Sequence, residues 1–293
     1  VVLAGGNTIP NRDFILKFRV AGETIKSTLL TYTDERTQQG YFTLMVYPPA
    51  APTTLHRQPV EMVFVVDTSG SMSGQPIAQA RAAINEALDR LERGDTFQVM
   101  NFASDVKQFA SRPVPATKEN IERARRYVNG LGGQGGTEML SGIRAALSFP
   151  RDPERMRFVT FLTDGYIGNE AEILAEVQRT IGDARIFSFG VGSSVNRYLL
   201  DGLATEGRGA VAYLGLDDSA ADVMKFYFER ISRPAMTDVA IDWNGLNATD
   251  VYPARLPDLF PGRPIVVTGK FSGKVDDVGV HGRLGARTVS FDV

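Results

Sequence analysis

Three short oxygen-bearing side chains stand close together in one segment of this sequence. Asp67, Ser69 and Ser71 form an Asp-x-Ser-x-Ser motif that directly follows the apolar run Val-Phe-Val-Val at residues 63–66. Such a continuous apolar run predicts a strand that is buried on both faces of a parallel sheet. Open α/β sheets bind ligands at the carboxyl ends of their strands, where this motif lies. One carboxylate and two hydroxyls are hard donors, which suit Mg²⁺, Mn²⁺ or Ca²⁺ better than zinc or copper.

Two further oxygen donors occupy equivalent positions later in the sequence. Thr137 follows the glycine-rich segment 132–136 and precedes a predicted short helix, and Asp164 follows the predicted buried strand 157–163. Loops at the carboxyl ends of parallel strands meet at one edge of the sheet. We therefore expect all three segments to bring oxygen atoms to the same edge. A serine-rich, capped turn without metal is the alternative interpretation of the first motif, and the two added segments weigh against it.

The sequence does not support the usual catalytic motifs. An aspartyl phosphotransferase needs a second Asp two residues after the first, and that position is Ser69. No Lys-Ser/Thr pair follows the glycine segment as a P-loop requires. The two histidines, His56 and His281, are not accompanied by a G-x-S-x-G elbow, and we interpret them as ordinary surface residues. The sequence therefore predicts a protein that is not an enzyme.

Composition sets limits on the protein class. The 293 residues are 43% hydrophobic and 23% charged, which is normal for a globular protein. A net charge of -2 gives no reason to expect nucleic-acid binding. The absence of cysteine excludes disulfides, a thiol nucleophile and a Cys-zinc site. No apolar run approaches the roughly 18 residues that a membrane span needs. Because the sequence begins at Val1 without a signal peptide, we expect a portion of a longer protein.

Two β-rich flanks enclose a segment in which strands and helices alternate. Residues 1–58 contain predicted strands at 13–20, 27–33 and 40–47, and a proline-rich linker then predicts a boundary near 55–59. Residues 59–233 predict a doubly wound, mainly parallel sheet. Its predicted strands are 60–67, 96–103, 106–110, 157–163, 185–191 and 210–214, and its predicted helices are 76–93, 117–130, 137–147, 171–181, 198–204 and 219–231.

Residues 234–293 return to β structure, with Val239, Ile241 and Trp243 alternating and further strands predicted at 264–271 and 288–293. Three or so strands are marginal by themselves. We therefore expect both flanks to form one β-sandwich into which the α/β domain is inserted. Two separate small β modules are the alternative.

Residues 60–232 resemble a von Willebrand factor type A (VWA) domain. The resemblance lies in that family's metal-ion-dependent adhesion site: Asp67, Ser69 and Ser71 match its Asp-x-Ser-x-Ser, Thr137 its threonine after a glycine loop, and Asp164 its Thr-Asp-Gly. It implies that these five residues hold a divalent cation, with Mg²⁺ favoured and Mn²⁺ or Ca²⁺ as alternatives. It also implies that the cation keeps one open position, which an Asp or Glu of a protein ligand completes.

The flanks extend the resemblance. The segment Asn-Arg-Asp-Phe at residues 11–14, together with the domain order, is similar to inter-alpha-trypsin inhibitor heavy chains and to bacterial VIT/VWA surface proteins of the sortase-target kind. This implies an extracellular or cell-surface adhesion-type module, with a VIT domain expected upstream. Relatives also suggest that a shift of the helix 219–231 changes ligand affinity. The alternatives are an intracellular VWA scaffold subunit of an ATP-driven assembly, which the β flanks weigh against, and a structural stalk whose metal site is idle.

Residues beside the predicted ligands and several aromatic side chains have simpler expected roles. Glu138 and Tyr166 stand beside the predicted ligands and are interpreted as rim residues, with contact to a partner as the alternative. The cluster Phe-Tyr-Phe at 226–228 is expected in the helix core and in packing between the domains. Trp243 is expected in the sandwich core.

Overall fold

The computed structural model describes residues 22–49, 55, 57–165, 167–215, 217–273, 278–285 and 287–293. The predicted strand 13–20, the segment 11–14, His56 and Tyr166 lie outside the described residues. The strands are β1 (Lys26–Thr33), β2 (Gly40–Tyr47), β3 (Val60–Asp67), β4 (Thr96–Phe102), β5 (Val106–Gln108), β6 (Val114–Pro115), β7 (Met156–Thr163), β8 (Arg185–Val191), β9 (Val211–Leu214), β10 (Thr237–Asp242), β11 (Asn247–Tyr252), β12 (Ile265–Ser272), β13 (Gly279–Leu284) and β14 (Arg287–Asp292). The helices are α1 (Gln75–Arg90), α2 (Lys118–Asn129), α3 (Met139–Leu147), α4 (Glu170–Thr180), α5 (Arg197–Glu206) and α6 (Ala220–Ile231).

The central sheet has the strand order β5-β4-β3-β7-β8-β9, and β6 pairs with the outer side of β4. Strands β4, β3, β7, β8 and β9 run parallel, whereas β5 and β6 pair antiparallel with β4. The chain thus starts in the middle of the sheet at β3, extends it to β4 on one side, and then continues to β7, β8 and β9 on the other. The predicted doubly wound, mainly parallel sheet is confirmed.

Strand β3 is buried along its whole length, which explains its unbroken apolar sequence. Met62, Phe64 and Val66 face the core beneath α1, α2 and α6. Val63 and Val65 face the opposite core beneath α3, α4 and α5. Each such side chain contributes about 1.5–3 kcal/mol by leaving water, so both faces favour the central position of β3.

The six helices of the α/β domain begin and end within three residues of their predicted bounds. Thr117 caps α2 by accepting a hydrogen bond from the backbone N–H of Asn120, at 3.3 Å. The predicted helix 76–93 ends earlier, at Arg90. The reason is tertiary: the buried carboxylate of Asp95 accepts hydrogen bonds from the backbone N–H groups of Glu92 and Val60. These bonds hold the chain in a turn where the pattern predicted a last helical turn.

The two flanks form one β-sandwich, as predicted. One sheet has the order β1-β2-β12-β11 and so combines strands from both flanks, while the other has the order β10-β13-β14. Phe42 and Leu44 of β2 pack in the same buried cluster as Met236 and Val280 from the C-terminal flank. Trp243 packs on Phe42 with 4.9 Å between ring centroids. Each flank therefore supplies part of a shared core, and two separate β modules are excluded.

Three strands were not predicted from sequence, for different reasons. Strand β6 has only two residues and contains a proline. Strand β11 is polar, and a register shift between Thr249 and Tyr252 interrupts its alternation where Asp250 has φ 50°. Strand β13 contains Gly282, where a Cβ atom would come within 2.7 Å of Met236. In each case tertiary pairing determines a strand that local sequence does not indicate.

The α/β domain and the sandwich are joined by buried contacts. Arg185 at the start of β8 donates to Asp258 (Nε to Oδ2, 2.6 Å) and Asp238 (Nη2 to Oδ1, 2.9 Å) of the C-terminal flank. The ring of Phe260 lies 5.9 Å from that of Phe187. These contacts tie the flank directly to the strands of the central sheet.

The prediction for the aromatic cluster in α6 is partly wrong. Phe228 is buried and Tyr227 reaches Thr160 with a 3.0 Å hydrogen bond, but Phe226 is 58% exposed. Three consecutive helical residues span about 200° around the helix axis, so they cannot all face one core. The predicted domain boundaries near 58 and 233 stay predictions; α6 ends at Ile231 and β10 begins at Thr237. None of the helices in the described segments combines the length and apolar character that a membrane crossing requires.

Candidate metal centre

The Asp-x-Ser-x-Ser motif lies at the point where the strand order of the central sheet reverses. Asp67 ends β3, which pairs with β4 on one side and β7 on the other. Connections from β3 and β7 leave toward opposite faces here, because α1 covers one face and α4 the other. This opens a crevice at the carboxyl ends of the strands, the usual ligand position in such sheets.

The Asp67 carboxylate is fully buried, and the protein orients both of its oxygens. The backbone N–H of Ser69 donates to Oδ1 at 2.8 Å. The hydroxyl of Thr163, at the end of the neighbouring strand β7, donates to Oδ2 at 2.6 Å. The Thr163 hydroxyl oxygen in turn accepts from the backbone N–H of Gly165 at 2.8 Å. Asp67 is therefore held in one orientation from two strands.

The two serines bring their hydroxyl groups together. The Oγ atoms of Ser69 and Ser71 are 3.1 Å apart, close enough to share one small ligand. Ser69 is buried, Ser71 is exposed, and the fully buried Met72 anchors the short 3₁₀ turn that carries Ser71. One hydroxyl thus lies inside the crevice and the other at its mouth.

The glycine-rich loop before Thr137 packs against the serine turn. The backbone N–H of Gly70 donates to the carbonyl oxygen of Gly135 at 3.1 Å, and that of Gln134 donates to Thr68 at 2.8 Å. Gly133 lies so close that a Cβ atom there would meet the backbone nitrogen of Ser73 at 2.5 Å. Glycine is therefore required by close approach of two backbones, and the loop that leads to half-buried Thr137 is held against the motif.

Asp164 adds a second carboxylate to the same crevice. Its residue is 9% exposed, and its carbonyl oxygen accepts from the backbone N–H of Asn196 at 2.9 Å. Burial raises the pKa of Asp67 above its ordinary value, hydrogen bonds from Ser69 and Thr163 act in the opposite direction, and the nearby charge of Asp164 raises it further. Two neighbouring carboxylates in a buried crevice favour a positive charge between or beside them.

The donor set fits a hard divalent cation. It consists of two carboxylates and three hydroxyls, all of them oxygen. In the parts of the chain that are described, no group of three or more His, Cys, Asp or Glu side chains is placed to hold a metal ion. A site with few carboxylates and several neutral oxygens suits Mg²⁺, Mn²⁺ or Ca²⁺ and differs from the nitrogen and sulfur sites of zinc. The structure brings the three predicted segments together; the ligand role of the five residues stays a prediction.

Sequence reasoning missed the residues that support this centre. Thr163 belongs to the Thr-Asp-Gly motif, but that motif does not indicate its hydrogen bond to Asp67. The side-chain amide of Asn101 donates to the Thr68 hydroxyl at 3.0 Å and accepts from the hydroxyl of Tyr127 at 2.6 Å. The Thr68 hydroxyl donates to the Phe102 carbonyl at 3.0 Å. This chain fixes the residue between Asp67 and Ser69, and residues so distant in sequence carry no pattern that would reveal it.

Glu138 and His281 are both exposed on the protein surface. Glu138 is exposed at the start of α3, and its backbone N–H donates to Ala103 at 2.7 Å. His281 is exposed on β13 of the sandwich, in agreement with a surface role.

Comparison with known proteins identifies the family. A model of the von Willebrand factor type A domain matches residues 60–213, which is more than half of the chain. The chain belongs to the von Willebrand factor type A family. The matched segment begins at β3 and ends within β9, so it contains all three loops of the candidate metal centre.

Similarity to curated relatives includes the flanks of the VWA domain. Human inter-alpha-trypsin inhibitor heavy chain H4 is 29% identical over 270 residues, which is 87% of this chain and 29% of that protein. The heavy chain H4 of Bos taurus is 28% identical over 257 residues. The chain thus spans under a third of the length of these relatives. The relation to inter-alpha-trypsin inhibitor heavy chains that the sequence indicated is confirmed.

Solved structures share the fold at low sequence identity. A von Willebrand factor type A protein from Catenulispora acidiphila superposes with a TM-score of 0.71 at 16% identity, covering 94% of this chain and 74% of that one. Because the match covers nearly the whole chain, it includes the sandwich as well as the central sheet. The architecture of a VWA domain with flanking antiparallel sheets is therefore found in another protein of the family.

Proposed function

We propose that this VWA protein is a metal-dependent protein-binding module of the adhesion type. The observation that carries the proposal is the buried Asp67, whose two oxygens are oriented by Ser69 and Thr163 in a crevice shared with Asp164. A bound divalent cation supplies positive charge and an open coordination position to which a carboxylate of a protein ligand binds. Asp67, Ser69, Ser71, Thr137 and Asp164 would hold it.

The chain's own groups favour binding over hydrolysis. Asp67 accepts one hydrogen bond on each of its two oxygens, which fixes its orientation and leaves a lone pair on each oxygen for a cation. Among the described residues the histidine is His281, which lies on the sandwich and not at the sheet edge. The exposed hydroxyl of Ser71 at the mouth of the crevice leaves an approach for an acidic side chain from another protein.

The relatives support a setting outside the cell or at its surface. The similarity to inter-alpha-trypsin inhibitor heavy chains extends beyond the VWA domain into the β flanks. A scaffold subunit of an intracellular ATP-driven assembly would not need a sandwich whose two halves enclose the VWA domain. A stalk with an idle metal site remains the competing hypothesis, and binding experiments separate it from adhesion.

Metal binding is tested by thermal unfolding with Mg²⁺, Mn²⁺, Ca²⁺ or EDTA. We expect at least one of the cations to raise the midpoint temperature, since a ligand that binds only the folded state stabilises it. Ser71→Ala should reduce this rise and Asp67→Asn should abolish it. Ser111→Ala, in an exposed loop away from the centre, is the matched control and should respond like the wild type. Absence of any rise in the wild type would refute the site.

Ligand binding is tested by capture on immobilised extracellular-matrix proteins and on cell surfaces. Capture should need the cation, disappear in EDTA, and be lost in Asp67→Asn but not in Ser111→Ala. Capture that persists in EDTA would contradict a metal-bridged contact. A protein that binds the cation but no ligand would support the idle stalk instead.

A further inference from the structure

A second concave site lies at the seam between the VWA domain and the sandwich. It is a cleft of about 440 Å³ between α5, the start of β9 and the chain that connects β11 to β12. Arg208, Arg255 and Arg263 line it, together with Tyr252 and Val266. We call it the arginine cleft. It lies at the amino-terminal ends of the parallel strands, so it is on the opposite edge of the sheet from the candidate metal centre.

The three arginines donate only to backbone carbonyl groups in the described structure. Arg208 donates to Gly182 at 3.2 Å and Arg255 to Gln178 at 3.2 Å. Arg263 donates to Gly209 at 2.8 Å. Within the described ranges, none of them forms an ion pair with an Asp or Glu. Each guanidinium has five donors in a planar fork, so most of this donor capacity is available to a ligand.

The acidic residue that lines the cleft is already engaged. Asp201 accepts a 2.7 Å hydrogen bond from the hydroxyl of Tyr213. The guanidinium of Arg197 lies 4.1 Å above the ring of the same Tyr213 and adds positive charge nearby. The cleft therefore carries an excess of positive charge on a protein whose total charge is -2.

Arg208 shows the strongest sign of a missing partner. Its Nε atom is buried and has no hydrogen-bond partner among the described residues. Burial and the nearby charge of Arg185 lower the pKa of Arg208, while the charges of Asp258, Asp238 and Asp183 act in the opposite direction. Its backbone has φ 52°, a conformation that non-glycine residues seldom adopt. A strained residue with an unsatisfied buried donor is unusual outside functional sites.

Arg263 adds a second guanidinium whose hydration is reduced. Neighbouring protein atoms lower the pKa of Arg263, although the residue as a whole is exposed at the surface. Poorly hydrated cations gain more from an anion than fully hydrated ones do.

Three other arginines form ion pairs with buried carboxylates of the chain. Arg57 pairs with Asp95, Arg157 with Glu61, and Arg185 with Asp258. At three positions, therefore, a partly or fully buried guanidinium is neutralised by a carboxylate of the chain. In the arginine cleft the guanidinium groups contact backbone carbonyl oxygens instead, so an anionic ligand can still reach their remaining donors.

We propose that the arginine cleft binds a small organic molecule that carries a tetrahedral oxyanion, a phosphate or a sulfate group. The oxyanion would accept from the guanidinium groups, which match its geometry by paired N–H donors. The apolar portion would lie against Tyr252, which is 63% exposed, and Val266, which is 47% exposed. The volume of the cleft is within the range of small-molecule sites. Such a ligand would contact both the VWA domain and the sandwich.

Isothermal titration and thermal unfolding of the whole chain test this proposal, in EDTA so that cation effects are absent. The probes are inorganic phosphate, inorganic sulfate, phenyl phosphate and phenyl sulfate, each compared with sodium chloride at matched ionic strength. Phosphate or sulfate should bind saturably, and its phenyl ester should bind more tightly because of the apolar wall. The better of the two series identifies the oxyanion. Equal affinity for the inorganic ion and its phenyl ester would overturn the role of Tyr252 and Val266.

Variants separate a specific site from general attraction to positive charge. Arg208→Gln and Arg263→Gln should each weaken binding at least tenfold, whereas Arg36→Gln, an exposed arginine of the β1–β2 turn, should not. Should Arg208→Gln fail to fold, the exposed Arg255→Gln provides the same measurement. No saturable binding by the wild type, or an equal loss in Arg36→Gln, would overturn the proposal. The candidate metal centre is untouched by these changes, so the two proposals fail or succeed separately.

Discussion

Thr163 donates a 2.6 Å hydrogen bond to Oδ2 of Asp67 and so joins the carboxyl ends of β7 and β3. The same hydroxyl oxygen accepts from the backbone N–H of Gly165, which fixes its direction. Ser69 orients the other oxygen of Asp67 through its backbone N–H. The carboxylate is therefore preorganised by the protein before any cation binds, and the loop that carries Asp164 is positioned by the same contact.

Replacing Thr163 by valine should weaken cation binding without changing the ligands themselves. Valine keeps the shape of threonine but removes the hydroxyl, and a hydrogen bond to a charged group contributes about 1.5–3 kcal/mol. We expect Mg²⁺ or Mn²⁺ affinity, measured by calorimetry, to fall roughly 10- to 100-fold. Thr160→Val is the matched control, because it removes a hydroxyl of the same strand that contacts Tyr227 instead. Equal affinities in wild type and Thr163→Val would contradict the orienting role.

Asp67 should make the metal-free protein less stable as the pH rises. Burial holds its pKa above the ordinary value of 3.8, so the folded protein binds the proton more tightly than the unfolded chain. Its stabilising contribution is complete below pH 3.8 and is lost as the pH rises through the higher pKa of the folded state. The free energy of unfolding of wild type minus that of Asp67→Asn, measured in EDTA, should fall with increasing pH in this window, by at most about 1.4 kcal/mol per pH unit.

A cation should reverse this trend, because it binds the ionised carboxylate. In saturating Mg²⁺ the same difference should increase with pH. A difference that is independent of pH in EDTA would show that Asp67 is not buried in a way that disfavours its charge. Using the difference between wild type and Asp67→Asn removes the contribution of titrating groups that do not interact with Asp67.

Breaking the ion pair between the domains should destabilise the whole chain. Burial alone would lower the pKa of Arg185, yet the charges and hydrogen bonds of Asp258 and Asp238 more than offset this and raise it. Asp258→Asn leaves the buried guanidinium short of its closest countercharge, and loss of one partner of a buried pair costs about 3–5 kcal/mol. Chemical denaturation measures this loss. Asp250→Asn, which removes the exposed pair with Lys270, should cost about 0–1 kcal/mol.

Shortening a side chain of β2 should test the shared sandwich core. Leu44 is fully buried against residues of the C-terminal flank, and Leu→Ala changes in cores cost about 2–5 kcal/mol. Thr43, its neighbour on the opposite face of the strand, is the control, and Thr43→Ala should change stability far less. Trp243, the single tryptophan of the chain, packs on Phe42. The unfolding transition followed by its fluorescence should therefore shift in Leu44→Ala as well. Tryptophan fluorescence that unfolds independently of β2 would contradict one common core.

Much of the central sheet could be predicted because its signals are local. The apolar run that ends at Asp67 is buried on both faces, so its pattern is unbroken. The strand Arg185–Val191 is also buried along its whole length, although Arg185 and Ser188 interrupt its apolar sequence. The caps Thr117 and Ser219 mark helix starts through bonds to residues three positions on. The spacing of Asp67, Ser69 and Ser71 is likewise contained within one turn.

Other features have no local signature. The pairing of β2 with β12 joins residues more than 200 positions apart, and β11 and β13 are strands only because their neighbours accept and donate their hydrogen bonds. The exposure of Phe226 beside the buried Phe228 depends on which helical face meets the sheet. The arginines of the cleft come from three separate segments and give no motif.

The sequence by itself therefore determined the alternating α/β core, the oxygen donors and the order in which they occur. Hydrophobic periodicity and short-range spacing depend only on residues that are neighbours within one element. Only the tertiary structure decided how Thr163 orients Asp67, how the glycine loop closes on Ser69 and Ser71, and how three arginines from separate segments meet in one cleft. These depend on contacts between residues that are distant in sequence, and their energies arise from burial and approach distances that exist only once the chain has packed.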